Sequence, residues 1–310
     1  MKRVLSIDGG GIRGIIPTVV LRAFETYTGS KCIDMFDLLV GTSTGGLITL
    51  GIAHPNQFGA EQLLELFKNN GSAIFGSPRG HLRQNLLGRP KHSGEGLSQV
   101  LKSYFGDAKL SDAKKDVMVT TYDIAERRPR ILKSWNAAKD ARRDMAMWEA
   151  GLATTAAPTY FPPFSTDERA LVDGGVVANN PSALALAEAR RRWPDEEVVL
   201  VSLGTGRVRT PYLPSEVTKW REYKWTLPVI DLLFAGTSDS TDYVLRYCLP
   251  KDCYFRFQCD VPAECGALDN ASENNLEKLR AVASMLVNDQ RDQISYAVSA
   301  LLAPSLKSKC

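Results

Sequence analysis

Residues 38–53 read Leu-Leu-Val-Gly-Thr-Ser-Thr-Gly-Gly-Leu-Ile-Thr-Leu-Gly-Ile-Ala, an apolar run without a single charged side chain that is interrupted by a serine between glycines. Such a run reads as a buried strand, a sharp turn and a buried helix. Only glycine on both flanks lets the backbone bend this tightly without side chains blocking the hydroxyl, so the serine is pushed out of the sheet edge. Ser43 is the candidate nucleophile, and Gly41 and Gly45 are the glycines of its elbow.

The same alternation recurs along the chain. Residues 4–7 form a short β-rich run into Asp8-Gly9-Gly10-Gly11-Ile12-Arg13-Gly14, and Pro17 opens an apolar-periodic helix reaching residue 27. Residues 116–122 and 129–135 read as paired strands around the polar turn 125–128. A small-residue helix over 145–157 ends at Pro158, and the apolar strand 170–172 ends at Asp173-Gly174-Gly175. A helix over 181–192 and a buried strand over 197–203 follow, the strand stopped by Gly204-Thr205-Gly206. Strand and helix in alternation predict an α/β fold with a mainly parallel central sheet flanked by helices.

With 310 residues and 44% hydrophobic content, the chain can bury the core of one elaborated domain, an α/β part over 1–206 and a helical C-terminal part over 207–310. Helical periodicity covers 229–247 and 276–302. In the second segment Leu276, Leu279, Val282, Leu286, Ile294, Val298 and Leu301 form a stripe expected to pack on the domain, opened by a capping box of Asn270 and Glu273. The net charge of +3 gives no footprint for a nucleic-acid polymer. The N-terminal apolar run is too short for a signal-peptide core and no span suits a membrane helix, which predicts a cytoplasmic chain. Residues 70–97, rich in Gly, Pro and basic side chains with Glu95 the only acid, read as a long loop suited to an anionic surface or ligand. Lys139, Arg142 and Arg143 are mixed with acids and read as a solvated face. The six cysteines fit no zinc spacing and the histidines lie far upstream of most of them, so no metal site is expected.

Three glycine-bearing strand ends, at Asp8, at Ser43 and at Asp173, are expected to meet at the carboxyl edge of the parallel sheet. A serine hydroxyl needs a base, usually histidine held by an acid. His54, His81 and His92 all lie outside the order a triad requires, which points to a dyad with Asp173 as base. An Asp near its ordinary pKa of about 3.9 is a poor base. Exclusion of water and stabilisation of the oxyanion must make up the difference. The N–H groups of Gly9, Gly10 and Gly11 supply the oxyanion hole, with Arg13 adding charge or holding the loop, and the helix after Ser43 adds its dipole. The two glycine loops alone also fit an ATPase of the actin and sugar-kinase type, with Asp8 to Gly11 on the phosphates. That alternative has no use for the elbow between them.

With these motifs in order, the sequence resembles the patatin-like phospholipase family. The resemblance rests on Asp8-Gly9-Gly10-Gly11-Ile12-Arg13-Gly14, on Gly41-Thr42-Ser43-Thr44-Gly45 and on Asp173-Gly174-Gly175. Two further blocks, Ala156-Ala157-Pro158-Thr159-Tyr160-Phe161-Pro162 and Ser202-Leu203-Gly204-Thr205-Gly206, extend it to about residue 206. It implies a modified α/β-hydrolase-type three-layer sandwich and a calcium-independent, cofactor-free Ser-Asp acyl hydrolase working through an acyl-Ser43 intermediate on membrane phospholipids. It also implies peripheral contact with the inner membrane face. Compact bacterial members include membrane-degrading effectors switched on by a cyclic nucleotide in anti-phage defence, and the basic stretch 70–97 is the candidate site for such an activator. A non-catalytic lipid-binding or storage protein on the same fold is the remaining alternative.

Overall fold

The computed structural model describes residues 1–75, 90–209 and 211–303, leaving aside the side chains of residues 222, 223, 226 and 227. His81, Cys310 and the middle of the basic stretch lie outside the described residues. Ten strands occur in chain order among the described residues: β1 (Lys2–Ile7), β2 (Leu38–Thr42), β3 (Asp116–Asp123), β4 (Arg128–Lys133), β5 (Phe164–Ser165), β6 (Ala170–Asp173), β7 (Val198–Leu203), β8 (Arg207–Val208), β9 (Tyr254–Phe257) and β10 (Asp260–Val261). The main sheet runs β5-β6-β3-β2-β1-β7-β9, with β4 also on β3, while β8 and β10 form a separate two-stranded ladder. Every pair from β3 to β9 along this order is parallel, whereas β4 and β6 run antiparallel to β3.

Alternate residues of the central strands enter two different cores, as the period of two requires. Leu5 and Ile7 of β1, Leu39 of β2 and Val199, Val201 and Leu203 of β7 join the larger core on one face. Val4, Leu38, Val40, Val198 and Leu200 join the smaller one on the other. Helices Ile15–Thr28, Thr44–Ala53, Ala60–Phe75 and Glu273–Asp289 close the larger core, and Ser182–Arg192 with the end of Glu222–Cys248 closes the smaller. This is the three-layer α/β sandwich expected from the sequence.

Three expectations need correction. Residues 70–75 complete the helix Ala60–Phe75, so the first part of the stretch 70–97 is not loop, while the helix that the sequence predicts over 96–104 is present as Glu95–Phe105. Both helices bury an apolar stripe, and that burial outweighs the turn-forming residues around them. The C-terminal stripe is divided between helices Glu273–Asp289 and Arg291–Leu302, and Ser272 holds the N-cap position of the first without a side-chain hydrogen bond. Asn270 instead accepts the Ser272 N–H at 3.2 Å in the preceding turn. The C-terminal third is also more than helices, because it supplies β9, the edge strand beside β7. No helix among the described residues is long and apolar enough to cross a membrane.

Candidate active site

Ser43 sits between β2 and the helix Thr44–Ala53 at φ 54° and ψ −124°, a conformation that a non-glycine residue adopts only when its surroundings enforce it. The surroundings are close-packed backbone. A Cβ on Gly45 would lie 2.2 Å from the Ile7 carbonyl oxygen, so β1 and the elbow approach as nearly as two chains can. The Ser43 N–H donates to Thr154 Oγ1 at 2.9 Å, and Thr154 donates onward to the Thr120 carbonyl at 2.7 Å. Strain at the serine is thus held by a side chain from the helix Met147–Thr155.

Asp173 reaches the same place by an unexpected route. The far edge of β3 is occupied by β4, so β2 and β6 must share its other edge. They do so end to end: Thr42 pairs with Thr120, and Asp173 pairs with Thr121. The end of β2 and the end of β6 therefore point at each other across one residue step of β3, and Ser43 faces Asp173. Convergence of parallel carboxyl ends places the Asp8 and Ser43 turns, but β6 is antiparallel and meets them head-on. The Asp173 N–H donates to the Ala156 carbonyl at 3.0 Å, which ties the acid to the chain just after Thr154.

Asp173 is fully buried. Its Oδ1 accepts the Gly175 N–H at 2.6 Å, while Oδ2 has no hydrogen-bond partner among the described residues. Burial pushes its carboxyl up to about 7, against smaller opposing effects from the Ser43 hydroxyl beside it and the Gly175 N–H. A carboxylate with one unsatisfied oxygen, near a neutral pKa and against a serine hydroxyl, is equipped to accept a proton.

The glycine loop after β1 packs on the elbow: a Cβ on Gly9 would come within 3.2 Å of Ser43 Cβ. Its three N–H groups are not equivalent. The Gly9 N–H already donates to the Asn179 carbonyl at 3.0 Å, and the Gly9 carbonyl accepts from Thr205 Oγ1 at 2.7 Å. Those of Gly10 and Gly11 have no partner among the described residues, and both glycines line the cleft with Ser43. Gly9 thus serves to fix the loop rather than to present its own N–H. Arg13 does likewise: its N–H and its Nε both reach the Gly10 carbonyl, at 3.1 and 3.4 Å, and its side chain lines a polar pocket on the other side of the loop.

Asp8 lies beneath the loop in a buried pair with Arg256 of β9, at 2.8 and 2.5 Å, and Arg256 also donates to Ser202 at 2.8 Å. Burial opposes the charge on Arg256, but Asp8 more than compensates and holds the guanidinium firmly protonated. Sequence reasoning missed Arg256. The available signal was a lone arginine within Tyr-Phe-Arg-Phe, since a charge inside a buried strand needs a partner. Asn179 and Thr154 were also missed, because each acts on backbone groups of distant segments, which no motif displays.

The cleft holding Ser43 and Asp173 is otherwise apolar, with Leu47, Phe67, Phe75, Leu97, Phe161 and Phe234 among its walls. Neither described histidine lines it. His54 bonds to the Phe105 carbonyl at 3.2 Å, and His92 Nε2 lies 2.9 Å from Asp269.

A strained serine elbow facing a buried carboxylate, beside a loop of free N–H groups on an α/β sheet, defines a hydrolase of the serine type. The chain matches the family described as patatin-like phospholipase over residues 5–186 and belongs to it. It is accordingly a lipid acyl hydrolase by family, which removes the ATPase alternative. It is 32% identical over 329 residues to patatin group J-1 of Solanum tuberosum, covering 93% of this chain and 84% of that protein. Patatin-like protein 1 of Arabidopsis thaliana is 28% identical, covering 94% and 83%. A Solanum tuberosum relative named probable inactive patatin-3-Kuras 1 is 34% identical over 281 residues, covering 79% of this chain and 74% of that protein. Among solved structures, VipD from Legionella pneumophila aligns with a TM-score of 0.48 at 12% identity, covering 92% of this chain and 67% of that one. The type III effector protein ExoU aligns at 0.43 and 12%, covering 97% of this chain and 53% of that one.

Proposed function

We propose that this protein hydrolyses fatty-acyl esters of membrane phospholipids, as a phospholipase A, through a Ser43–Asp173 dyad. The observation that carries this reading is the buried carboxyl of Asp173, with the Ser43 hydroxyl beside it and Oδ2 left without a partner, in a cleft whose remaining walls suit an acyl chain.

In this scheme Asp173 takes the hydroxyl proton as Ser43 Oγ attacks the acyl carbonyl carbon. The oxyanion that forms accepts the N–H groups of Gly10 and Gly11, supported by the unpaired first N–H groups of the helix Thr44–Ala53. Collapse expels the lysophospholipid alcohol, which takes the proton from Asp173 and leaves an ester on Ser43. Water then attacks this ester, gives its proton to Asp173, and the fatty acid leaves as Ser43 regains a proton. No cofactor enters the scheme, and the protein meets its substrate by peripheral contact with the inner membrane face.

An active-site fluorophosphonate tests the nucleophile: labelling should be stoichiometric and vanish in Ser43→Ala. Phospholipid and p-nitrophenyl ester hydrolysis should vanish in the same variant and in Asp173→Asn. A wild-type protein that takes no label and turns over no ester would make it a lipid-binding or storage protein instead.

Activation by a cyclic nucleotide, with a role in anti-phage defence, is carried as a second part of the reading on the basic stretch 70–97. Hydrolysis measured with a panel of cyclic di- and trinucleotides decides it, and equal rates under all conditions remove the activator while leaving the hydrolase.

A further inference from the structure

The antiparallel edge of the sheet holds a second cavity, distinct from the cleft around Ser43. Strand β4, the segment 136–145 and the β5–β6 hairpin border a solvent-open groove lined by Arg128, Arg130, Lys133, Arg142, Arg143 and Arg169, and by no acid. Four of these cations are answered by carboxylates outside the groove. Arg128 pairs with Glu126 at 2.5 Å, Lys133 with Glu188 at 2.6 Å, and Arg142 and Arg143 with Asp140 at 3.0 and 3.4 Å.

Arg130 and Arg169 are left over. Both are half-buried, and neither has an ion pair or side-chain hydrogen bond among the described residues. The buried acid Asp123 accepts the N–H groups of Ala125 and Glu126 on Oδ1 at 3.1 and 3.2 Å, and its Oδ2 meets no donor among the described residues. Burial, and then the neighbouring charge of Arg169, push the Arg130 guanidinium below its ordinary value, against smaller opposing effects from Glu126 and Asp123. Two half-buried guanidinium groups facing one cavity repel each other, and an anion held between them relieves that repulsion while accepting two forks of N–H donors. Aromatic and apolar surface from Phe164 and Leu171 forms the rest of the wall, suited to the organic part of such an anion.

We propose that this groove is a binding site for a phosphate-ester anion, gripped by Arg130 and Arg169. The same chemistry comes from a free phosphate ester or from the headgroup of an anionic lipid. The inference stands apart from the hydrolytic reading, since no groove residue belongs to the cleft. Arg169 does lie on the approach to β6, four residues before Asp173 and about 13 Å from it at roughly 3.3 Å per strand residue.

Inorganic pyrophosphate, titrated calorimetrically at low ionic strength, tests the free form of the ligand. Vesicles of phosphatidylglycerol, compared with phosphatidylcholine in co-sedimentation, test the lipid form. The wild type should bind one or both probes, more weakly as salt rises. The variant Arg130→Gln/Arg169→Gln should bind at least about tenfold more weakly. Lys251→Gln, an exposed change outside the groove, should bind as wild type, and all three proteins should cleave p-nitrophenyl butyrate equally, which excludes misfolding. Pyrophosphate binding lost in the double variant identifies a free phosphate ester, and loss confined to phosphatidylglycerol vesicles identifies a headgroup. Binding of neither probe, or binding that the double variant keeps, overturns the proposal. Arg130→Lys/Arg169→Lys separates charge from fork geometry: recovery of less than half the lost affinity is expected, and full loss of thermal stability in either double variant is excluded by the unchanged esterase.

Discussion

Replacing Asp173 by asparagine should stabilise the protein while silencing it. In the unfolded chain the carboxyl titrates at about 3.9. In the fold, burial raises it to about 7. A raised carboxyl pKa means that the fold disfavours the ionised form. The cost is absent below pH ~3.9, grows through the interval, and is complete above about 7. At about 1.36 kcal/mol per unit, it amounts to roughly 1.5 kcal/mol at pH 5 and roughly 4 kcal/mol at pH 8. Asparagine is neutral throughout and keeps the Oδ1 that accepts the Gly175 N–H. Its amide NH₂ occupies the partnerless position of Oδ2, which costs about 1–3 kcal/mol independently of pH. The informative quantity is therefore a difference of differences: Asp173→Asn should gain about 2.5 kcal/mol relative to wild type between pH 5 and pH 8, on the order of 5 °C in Tm for a chain of this size. Urea midpoints or melting curves of both proteins at the two pH values measure it. The wild-type kcat/KM should meanwhile rise with pH, with its midpoint at about 7, because Asp173 must be ionised to act as base. An equal stability change at both pH values would show that the carboxyl is not strained by burial. A stabilised variant that still turned over substrate would refute the dyad.

Three further changes probe the supports of the site. A Cβ on Gly10 would sit 2.2 Å from Thr205 Oγ1, so Gly10→Ala should displace an oxyanion donor and lower kcat on p-nitrophenyl butyrate by about 100-fold or more, with KM little changed. Arg256→Met strands Asp8 as a buried, unpaired carboxylate and should cost about 3–5 kcal/mol in urea unfolding, whereas Asp8→Asn/Arg256→Met should recover part of it; equal losses would mean that the pair is not coupled. Leu97→Trp fills the apolar wall of the cleft and should lower kcat/KM for dodecanoyl esters by at least about tenfold relative to butanoyl esters. A uniform drop for both would place the acyl chain elsewhere.

Sequence made the strand ends and their glycines legible because close backbone approach admits no other residue, as at Gly45 against Ile7. It also made the alternation of strand and helix legible, since each apolar run carries its own period. It could not display what depends on partners distant in the chain. The antiparallel course of β6, the pairing of Asp8 with Arg256 and the use of the Gly9 N–H by Asn179 are all settled by which elements meet, not by local pattern. The helix Glu222–Cys248 shows the same limit. Its periodicity is legible as helix over 229–247 but does not say which side is covered: Phe234 and Leu245 are buried, while Leu232, Leu233, Tyr243 and Tyr247 on the opposite side face solvent. Arg142 and Arg143 are exposed, as their solvated-face reading expects, and what the sequence does not display is that they also border a groove with β4 and the β5–β6 hairpin.

The single residue step of β3 that brings Thr42 and Asp173 to Thr120 and Thr121 has a consequence for how such a site can change over time. Main-chain hydrogen bonds set that step and read no side chains, so the long connection between the two halves of the dyad is free to lengthen, shorten or acquire new segments. A one-residue slip in β3 is different. It would turn Asp173 to the opposite face and carry it about 3.3 Å along the strand, leaving a well-folded protein without its reaction. The most heavily constrained length in the chain is thus a stretch of backbone whose own buried side chains take no part in the reaction.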